Sequence, residues 1–401
     1  MTDDTAEKEV TTPDFQTAVI TDEDVAKARE LVGVWLRRDV HWPQISEPIS
    51  QHDIRRWAMY SVGDDNPLWT DGEYGKKSWW GRTIAPPTFC YSIDTSITAP
   101  GLPGVQWIHG GSRWETFLPI EVGDRITARG RVIAVEEKHG KQVPRFIKQV
   151  GETIYVNQRN EVVARIERDT LRVPRSRTGQ GFKNSDNVEA RKSPRYTEAE
   201  IREIGEAYLN EYRRGKEILY WEDVKDGEEL PSIVKGPLNL VDIMAFYAGR
   251  RAVYNPLKLA FMERVKHPKN VYVSPNSGIP SHPAAGHFDV DIAHEVGMPR
   301  AYDQGWMRIN WAGHLLTNWC GDAGFVRYLG ATLPALNMAG DLSTFHGKVM
   351  GKRYDDGEHL VDIDVTATNQ NGVKNTVGNA VVRLPSRAPE DKYLFRSNYK
   401  G

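Results

Sequence analysis

The sequence predicts an α+β chain made of two copies of one unit, each an antiparallel sheet wrapped around a central helix. Three observations lead there. The segment GDRITARGRV, starting at Gly123, returns as GDLSTFHGKV, starting at Gly340, 217 residues later, with Gly, Asp, Thr, Gly and Val in register. Gly-Asp makes a turn and the alternation after it makes a strand, so the repeat is a structural unit that occurs twice. Each copy then ends in a long alternating stretch broken by an Asn-rich turn, NQRN within residues 145–173 and NQNG within 359–385, which is the pattern of a hairpin. Finally, 401 residues with 39% hydrophobic content supply two domains and an ample core without disulfide or metal support.

The elements follow in order. Residues 1–20 are acidic and polar and read as a disordered tail. A helix is expected from Thr21, its cap, to Arg38, because Val25, Ala28, Leu31, Val32, Trp35 and Leu36 recur at helical spacing. The N-terminal unit spans 21–173. Its Ser50–Ser61 stretch reads as a short helix, followed by GDDNPLWTD and a further helix from Gly72. Pro174–Pro194 has no apolar period and, with a helix from Thr197 to Arg214, forms a linker over 174–215. The C-terminal unit spans 216–401. In it GPLNLVDIMAFYAG matches the first unit's early helix. A longer insertion ends in SHPAAGHFD, a helix starts at Val290, and another follows Gly305 with Met307, Trp311, Leu315 and Trp319 every fourth residue.

Composition excludes several classes of function. The net charge is −2, which offers no footprint for nucleic acid or an anionic membrane. Cys90 and Cys320 have neither CxxC nor metal-ligand spacing, which fits a reducing cytoplasm. The first residues lack the basic and apolar regions of a signal peptide, and no run approaches 18 apolar residues. There is no GxGxxG after a strand and no Walker A sequence, so no metal, flavin or nicotinamide cofactor is implied.

Gly63–Asp71, GDDNPLWTD, resembles the hydratase motif G-D-x-N-P-I-H-x-D of the MaoC-like, (R)-specific enoyl-CoA hydratases and dehydratases. The resemblance covers about 45–175 and 220–385 and implies the two-domain, double hot-dog fold. In that family an Asp and a His five residues apart activate water or the 3-hydroxyl, and a glycine eighteen residues past the His gives its N–H to the thioester carbonyl. The first unit keeps Asp64, Asn66, Pro67 and Asp71. It has Trp69 at the His position, however, and Pro87, which has no N–H, at the glycine position. The second unit shows the complement. His287-Phe288-Asp289 matches the end of the motif and Gly305 lies eighteen residues past His287, but His282 replaces the Asp.

The resemblance therefore implies catalysis in the second half. His287 is the acid/base and the Gly305 N–H the oxyanion donor, since an N–H at a helix start sees the positive end of the dipole. His282, Asp303, and Asp64 reaching across from the first half are the candidate partners of His287. Asp289, Tyr302, Asp303 and Trp306 are candidate substrate-binding residues. Asp289 reads equally well as a helix N-cap and Asp64 as a turn residue. The implied reaction is reversible addition of water to a 2-enoyl-CoA, with a bulky or branched acyl group favoured because the first site is degenerate. The alternatives are a non-catalytic acyl-CoA-binding subunit and a thioesterase using Asp303 or Asp289. The acyl-CoA is the expected ligand, and a homodimer or higher homo-oligomer the expected assembly, with a hetero-oligomer as the alternative.

Overall fold

A computed structural model describes residues 18–36, 47–93, 98–141, 143–175, 192–249, 256–266, 268, 271–274, 276–282 and 284–388. The first half contributes strands β1 (Gln106–Thr116), β2 (Thr127–Lys138), β3 (Phe146–Val156) and β4 (Val162–Val173). The second contributes β5 (Glu229–Lys235), the short pair β6 (Tyr272–Val273) and β7 (Pro280–Ser281), then β8 (Phe325–Thr332), β9 (Ser343–Asp355), β10 (Glu358–Asn369) and β11 (Lys374–Arg383).

The repeat seen in the sequence is a repeat in space. Gly123 and Gly340 adopt φ of 96° and 95°. Beside them Asp124 accepts the Glu121 N–H at 3.0 Å, and Asp341 accepts the Met338 N–H at 2.9 Å. The strands that follow carry a bulge at the same place, since Ile133 and Met350 are each skipped by the ladder. The hairpin turns also agree. Asn157 Oδ1 accepts from Arg159 and Glu161, and Asn369 Oδ1 accepts from Asn371 and Val373.

The large sheet has the order β2-β3-β4-β1-β8-β11-β10-β9-β5. Two sheets of matching order thus meet edge to edge at β1 and β8, paired from Gly111–Thr332 to Glu115–Tyr328. This removes one open edge from each half. In the second half the sheet curls around the helix Trp306–Cys320, which is buried at every position from Met307 to Cys320. In the first half the corresponding helix is Cys90–Ile93 within the described residues. The main hydrophobic cluster among the described residues runs through both halves, with Trp57 against Phe246 at 5.5 Å as one of its cross-half contacts. The architecture is the expected double hot-dog.

The early helices are also paired. Gln51–Arg56 starts at a Ser50/Asp53 capping box and runs on as a π-helical turn, Trp57–Val62; Leu240–Ala248 starts at an Asn239/Asp242 box. They touch where Ser61 Oγ donates to Phe246 O at 2.9 Å.

Some elements differ from the expected ones. The first helix is Asp22–Glu30, capped by Thr21 as expected, and does not run to Arg38. Gly33, at φ 82°, turns the chain, and Val32 and Trp35 then bridge to Val132 and Arg131 along the β2 edge. The apolar residues that looked helical there cover a sheet edge instead. Residues 18–20, read as part of a tail, are tied down: Ala18 and Arg175 exchange both backbone hydrogen bonds and Ile20 is buried. Residues 1–17 and 176–191, which hold the rest of the expected tail and most of the polar linker, lie outside the described residues. The linker helix is Glu198–Leu209 rather than Thr197–Arg214, and the chain after it docks onto the second half through Arg214 N–H to Asn318 O at 3.0 Å.

The two turn glycines make a matched test. Both need the left-handed region, which costs an alanine about 1–2 kcal/mol. A Cβ on Gly123 meets nothing within 4 Å, whereas one on Gly340 lies 2.8 Å from Pro194 Cδ. Urea unfolding should show Gly340→Ala losing more stability than Gly123→Ala; equal losses would mean that the Pro194 contact is not made.

Candidate active site

In the second half, a 3-10 turn, Ala285–His287, leads into the helix Val290–Glu295. Asp289 caps that helix, its Oδ1 accepting the Ile292 N–H at 3.0 Å, so its carboxylate serves the fold. Nδ1 of the half-buried His287 lies 3.0 Å from Tyr302 O. A carbonyl only accepts, so Nδ1 carries the hydrogen and Nε2 keeps its lone pair. Burial, partly offset by the backbone carbonyls of Tyr302 and Asp303, pushes the His287 pKa down to about 4. At neutral pH it is a neutral imidazole of one tautomer. The Tyr302 ring packs against it at 4.3 Å.

His282 stands nearby but in another role. Its Nδ1 accepts the Ala284 N–H at 3.0 Å, closing the turn that delivers His287. Burial, then the charges of His287 and Arg264, lower its pKa to about 3.

Gly305 is the N-cap of the fifteen-residue helix Trp306–Cys320. Its N–H meets no acceptor among the described residues, at the positive end of a long buried helix. Space is tight there: a Cβ would come within 2.7 Å of Leu333 Cδ1 and 3.0 Å of His109 Cδ2, so those side chains would have to shift. Tyr302 and Gly305 lie on one short loop, so the group that orients His287 and the candidate oxyanion donor are built together.

The other predicted residues are placed as follows. Asp303 faces inward, 2.8 Å from Arg308 Nε, and accepts from Asn337 Nδ2 at 3.1 Å. Burial raises its pKa against the opposing pull of Arg308 and Asn337. Trp306 is turned to the first half: its indole N–H donates to His109 Nδ1 at 3.1 Å, and its ring stacks on Tyr91 at 4.5 Å. Asp303 and Trp306 are thus held by protein partners rather than aimed at a ligand.

Asp64 does not meet His287. It is buried, with Oδ1 accepting the Asn66 N–H at 2.9 Å and Oδ2 accepting the Trp69 indole N–H at 2.8 Å. Trp69, at the position of the motif's His, thus bonds Asp64 through an indole N–H that does not exchange a proton with it at neutral pH. The far side of Asp64 faces the second half, where His314 Nε2 lies 3.5 Å from Asp64 Oδ1 and 3.0 Å from Glu211 Oε1. Lys235 Nζ is 2.9 Å from His314 Nδ1. Burial opposes ionisation of Glu211, but His314, Lys235 and Asn318 outweigh it and hold its pKa at about 2. Burial lowers the Lys235 pKa.

Sequence reasoning missed His109, Arg308, His314, Lys235 and Glu211. The one available signal was His314, a titratable residue inside the apolar stretch WAGHLLTNW. Nothing in the local sequence marks His109 or Lys235, since their partners come from distant segments. Among the described residues no group of His, Cys, Asp and Glu forms a metal site, and no helix is long and apolar enough to cross a membrane.

Two outcomes follow. Trp69→Phe removes the donor to a buried carboxylate, which should cost about 1–3 kcal/mol in chemical unfolding; an unchanged midpoint would show that Asp64 is satisfied without it. The Glu211 pKa is depressed in the fold from 4.5 to about 2. Its contribution to stability is therefore present above 4.5 and is lost as pH falls toward about 2. The stability difference between the wild-type protein and Glu211→Gln, measured by thermal melts, should shrink across that window.

Comparison with known proteins accords with this fold. Residues 38–166 match the FAS1-like dehydratase domain region. A UPF0336 protein of Streptomyces coelicolor is 30% identical over 108 residues, 25% of this chain and 71% of that protein. One of Streptomyces avermitilis is 29% identical over 102 residues, 24% of this chain and 67% of the relative. Among solved structures, a MaoC-like dehydratase matches with a TM-score of 0.60 at 16% identity, covering 89% of this chain and 99% of its own. A MaoC domain dehydratase from Chloroflexus aurantiacus matches with a TM-score of 0.51 at 14% identity, covering 87% and 94%. At such identities these structures speak for the fold. The chain thus belongs to the UPF0336 family and has the double hot-dog fold of the MaoC-like dehydratases, its first half matching the FAS1-like dehydratase region.

Proposed function

We propose that the protein is a hydro-lyase that adds water reversibly to a 2-enoyl-CoA, with the site in its second half. The observation that carries this reading is the pairing, on one loop, of an N–H without an acceptor among the described residues at Gly305 and a carbonyl that fixes the tautomer of His287. In the hydration direction His287 Nε2 takes a proton from water as the water oxygen bonds to C3 of the enoyl group. The C2–C3 π pair shifts toward the thioester, and its charge collects on the carbonyl oxygen, where the Gly305 N–H stabilises it. The imidazolium then returns its proton to C2, which restores the thioester carbonyl and the neutral histidine. Dehydration runs the same steps backward. The degenerate first half leaves one site per chain, and a bulky or branched acyl group is the favoured substrate.

The thioesterase reading loses its suspects, because Asp303 is paired with Arg308 and Asp289 caps a helix. The non-catalytic acyl-CoA-binding reading keeps one observation in its favour: no carboxylate among the described residues contacts His287. Protein incubated with enoyl-CoAs from short to polycyclic and followed by mass spectrometry separates the readings. Gain of one water that falls by about 10²–10⁴-fold in His287→Ala supports the lyase. Saturable binding without turnover supports the binding subunit, and free CoA supports the thioesterase.

The rate should also report the histidine. Because His287 must be neutral to accept the proton and its pKa is lowered to about 4, kcat/KM for hydration should be level from neutral pH down to about 5 and fall as pH approaches 4. An acid limb centred near 6.5 would place the base elsewhere.

A further inference from the structure

We infer that Asp303, together with Arg308 and Asn337, is a positioning clamp that sets the tautomer of His287 and aims the Gly305 N–H. The peptide unit between Tyr302 and Asp303 has two polar ends. Its carbonyl, Tyr302 O, accepts from His287 Nδ1 at 3.0 Å. Its N–H, on Asp303, donates to Asn337 O at 2.9 Å. A peptide is planar, so fixing the N–H on one side fixes where the carbonyl points on the other. Asn337 thus holds the plane that His287 reads.

The side chains secure the same plane. Asn337 Nδ2 donates to Asp303 Oδ2 at 3.1 Å while its Oδ1 accepts from Ser343 at 3.2 Å. Asp303 then reaches past Gly305 to Arg308, with Oδ2 2.8 Å from Nε and Oδ1 accepting from Nη2 at 3.3 Å. That contact joins the residue two before Gly305 to the residue three after it, so the glycine sits inside a closed loop. Arg308 Nη1 also donates to Ala335 O at 2.7 Å and Asn375 O at 2.5 Å, anchoring the loop to the sheet. Asp303, Arg308 and Asn337 are 3%, 2% and 1% exposed, so all three act from behind the site. A buried ion pair is weak support for stability alone, whereas a role in fixing one geometry accounts for it.

The test uses the full chain labelled with nitrogen-15 histidine, with the His287 signal assigned by its loss in His287→Ala. In wild-type protein at neutral pH the ring should carry its hydrogen on Nδ1; a hydrogen on Nε2 overturns the inference. Asn337→Ser, which keeps the backbone carbonyl but shortens the side chain, should bring in the second tautomer or exchange between the two. A wild-type pattern in a folded Asn337→Ser protein also overturns it. Asp303→Asn is expected to disturb the ring and Asp303→Glu to restore it in part, with circular dichroism confirming that each variant is folded. The kinetic arm rests on the hydro-lyase reading. There, with an enoyl-CoA that the wild type turns over, kcat should fall by about 10- to 100-fold with little change in KM. Failure of that reading leaves no turnover in the wild type but leaves the tautomer result standing, so the two failures are distinguishable.

Discussion

One helix, buried on every side, governs the rest of this molecule. Trp306–Cys320 brings Arg308, Asn310, His314, Thr317 and Asn318 into the interior. Each of these polar groups must find a partner there, because an unpaired one costs more than burial returns. Some partners lie on the helix itself, as where Thr317 donates to His314 O; others come from the loop before it and from distant segments. Arg308 is met by Asp303, Asn310 by Thr88 of the first half, and His314 by Lys235 and Glu211. Asn318 is met by Glu211, from the segment between the halves. Satisfying one helix therefore fixes the loop before it, the interface between the halves and the connecting chain.

The same constraint makes the two halves unequal. In the first half the site is filled: Trp69 bonds Asp64, Pro87 offers no N–H, and His314 closes in from the other half. In the second half the corresponding positions hold a histidine of defined tautomer and a helix start whose N–H meets no acceptor among the described residues. The filled site supplies inter-half contacts, and the second half keeps the groups suited to proton transfer. The family model nevertheless matches 38–166, the half with Trp69 at the position of the motif's His. There the Asp64–Trp69 hydrogen bond makes the motif's carboxylate part of the fold.

Electrostatics inside the second half follow from burial more than from charge pairing. His287 and His282 are held neutral chiefly by loss of water; backbone carbonyls oppose that shift at His287, and nearby charges add a smaller push at His282. That suits a base working at neutral pH, which needs a free lone pair and a place for the proton to return from.

The sequence by itself determined the duplication and the strand pattern. It also located His287 and Gly305, because turns, alternation, glycine positions and fixed spacings are local properties of the chain. Gly123 and Gly340, the Asn157 and Asn369 turns and the caps at Thr21 and Asp289 were all legible for that reason. Where the first helix stops was less so: Val32 and Trp35 have helical spacing, but the β2 edge competes for them on either side of Gly33. Only the tertiary structure decided the partners. It sent Asp64 to Trp69 and His314, Asp303 to Arg308 and Trp306 to His109, because a buried polar group pairs with what lies nearest in space. In this fold that neighbour belongs to a segment tens to hundreds of residues away, or across a loop whose shape the sequence does not state.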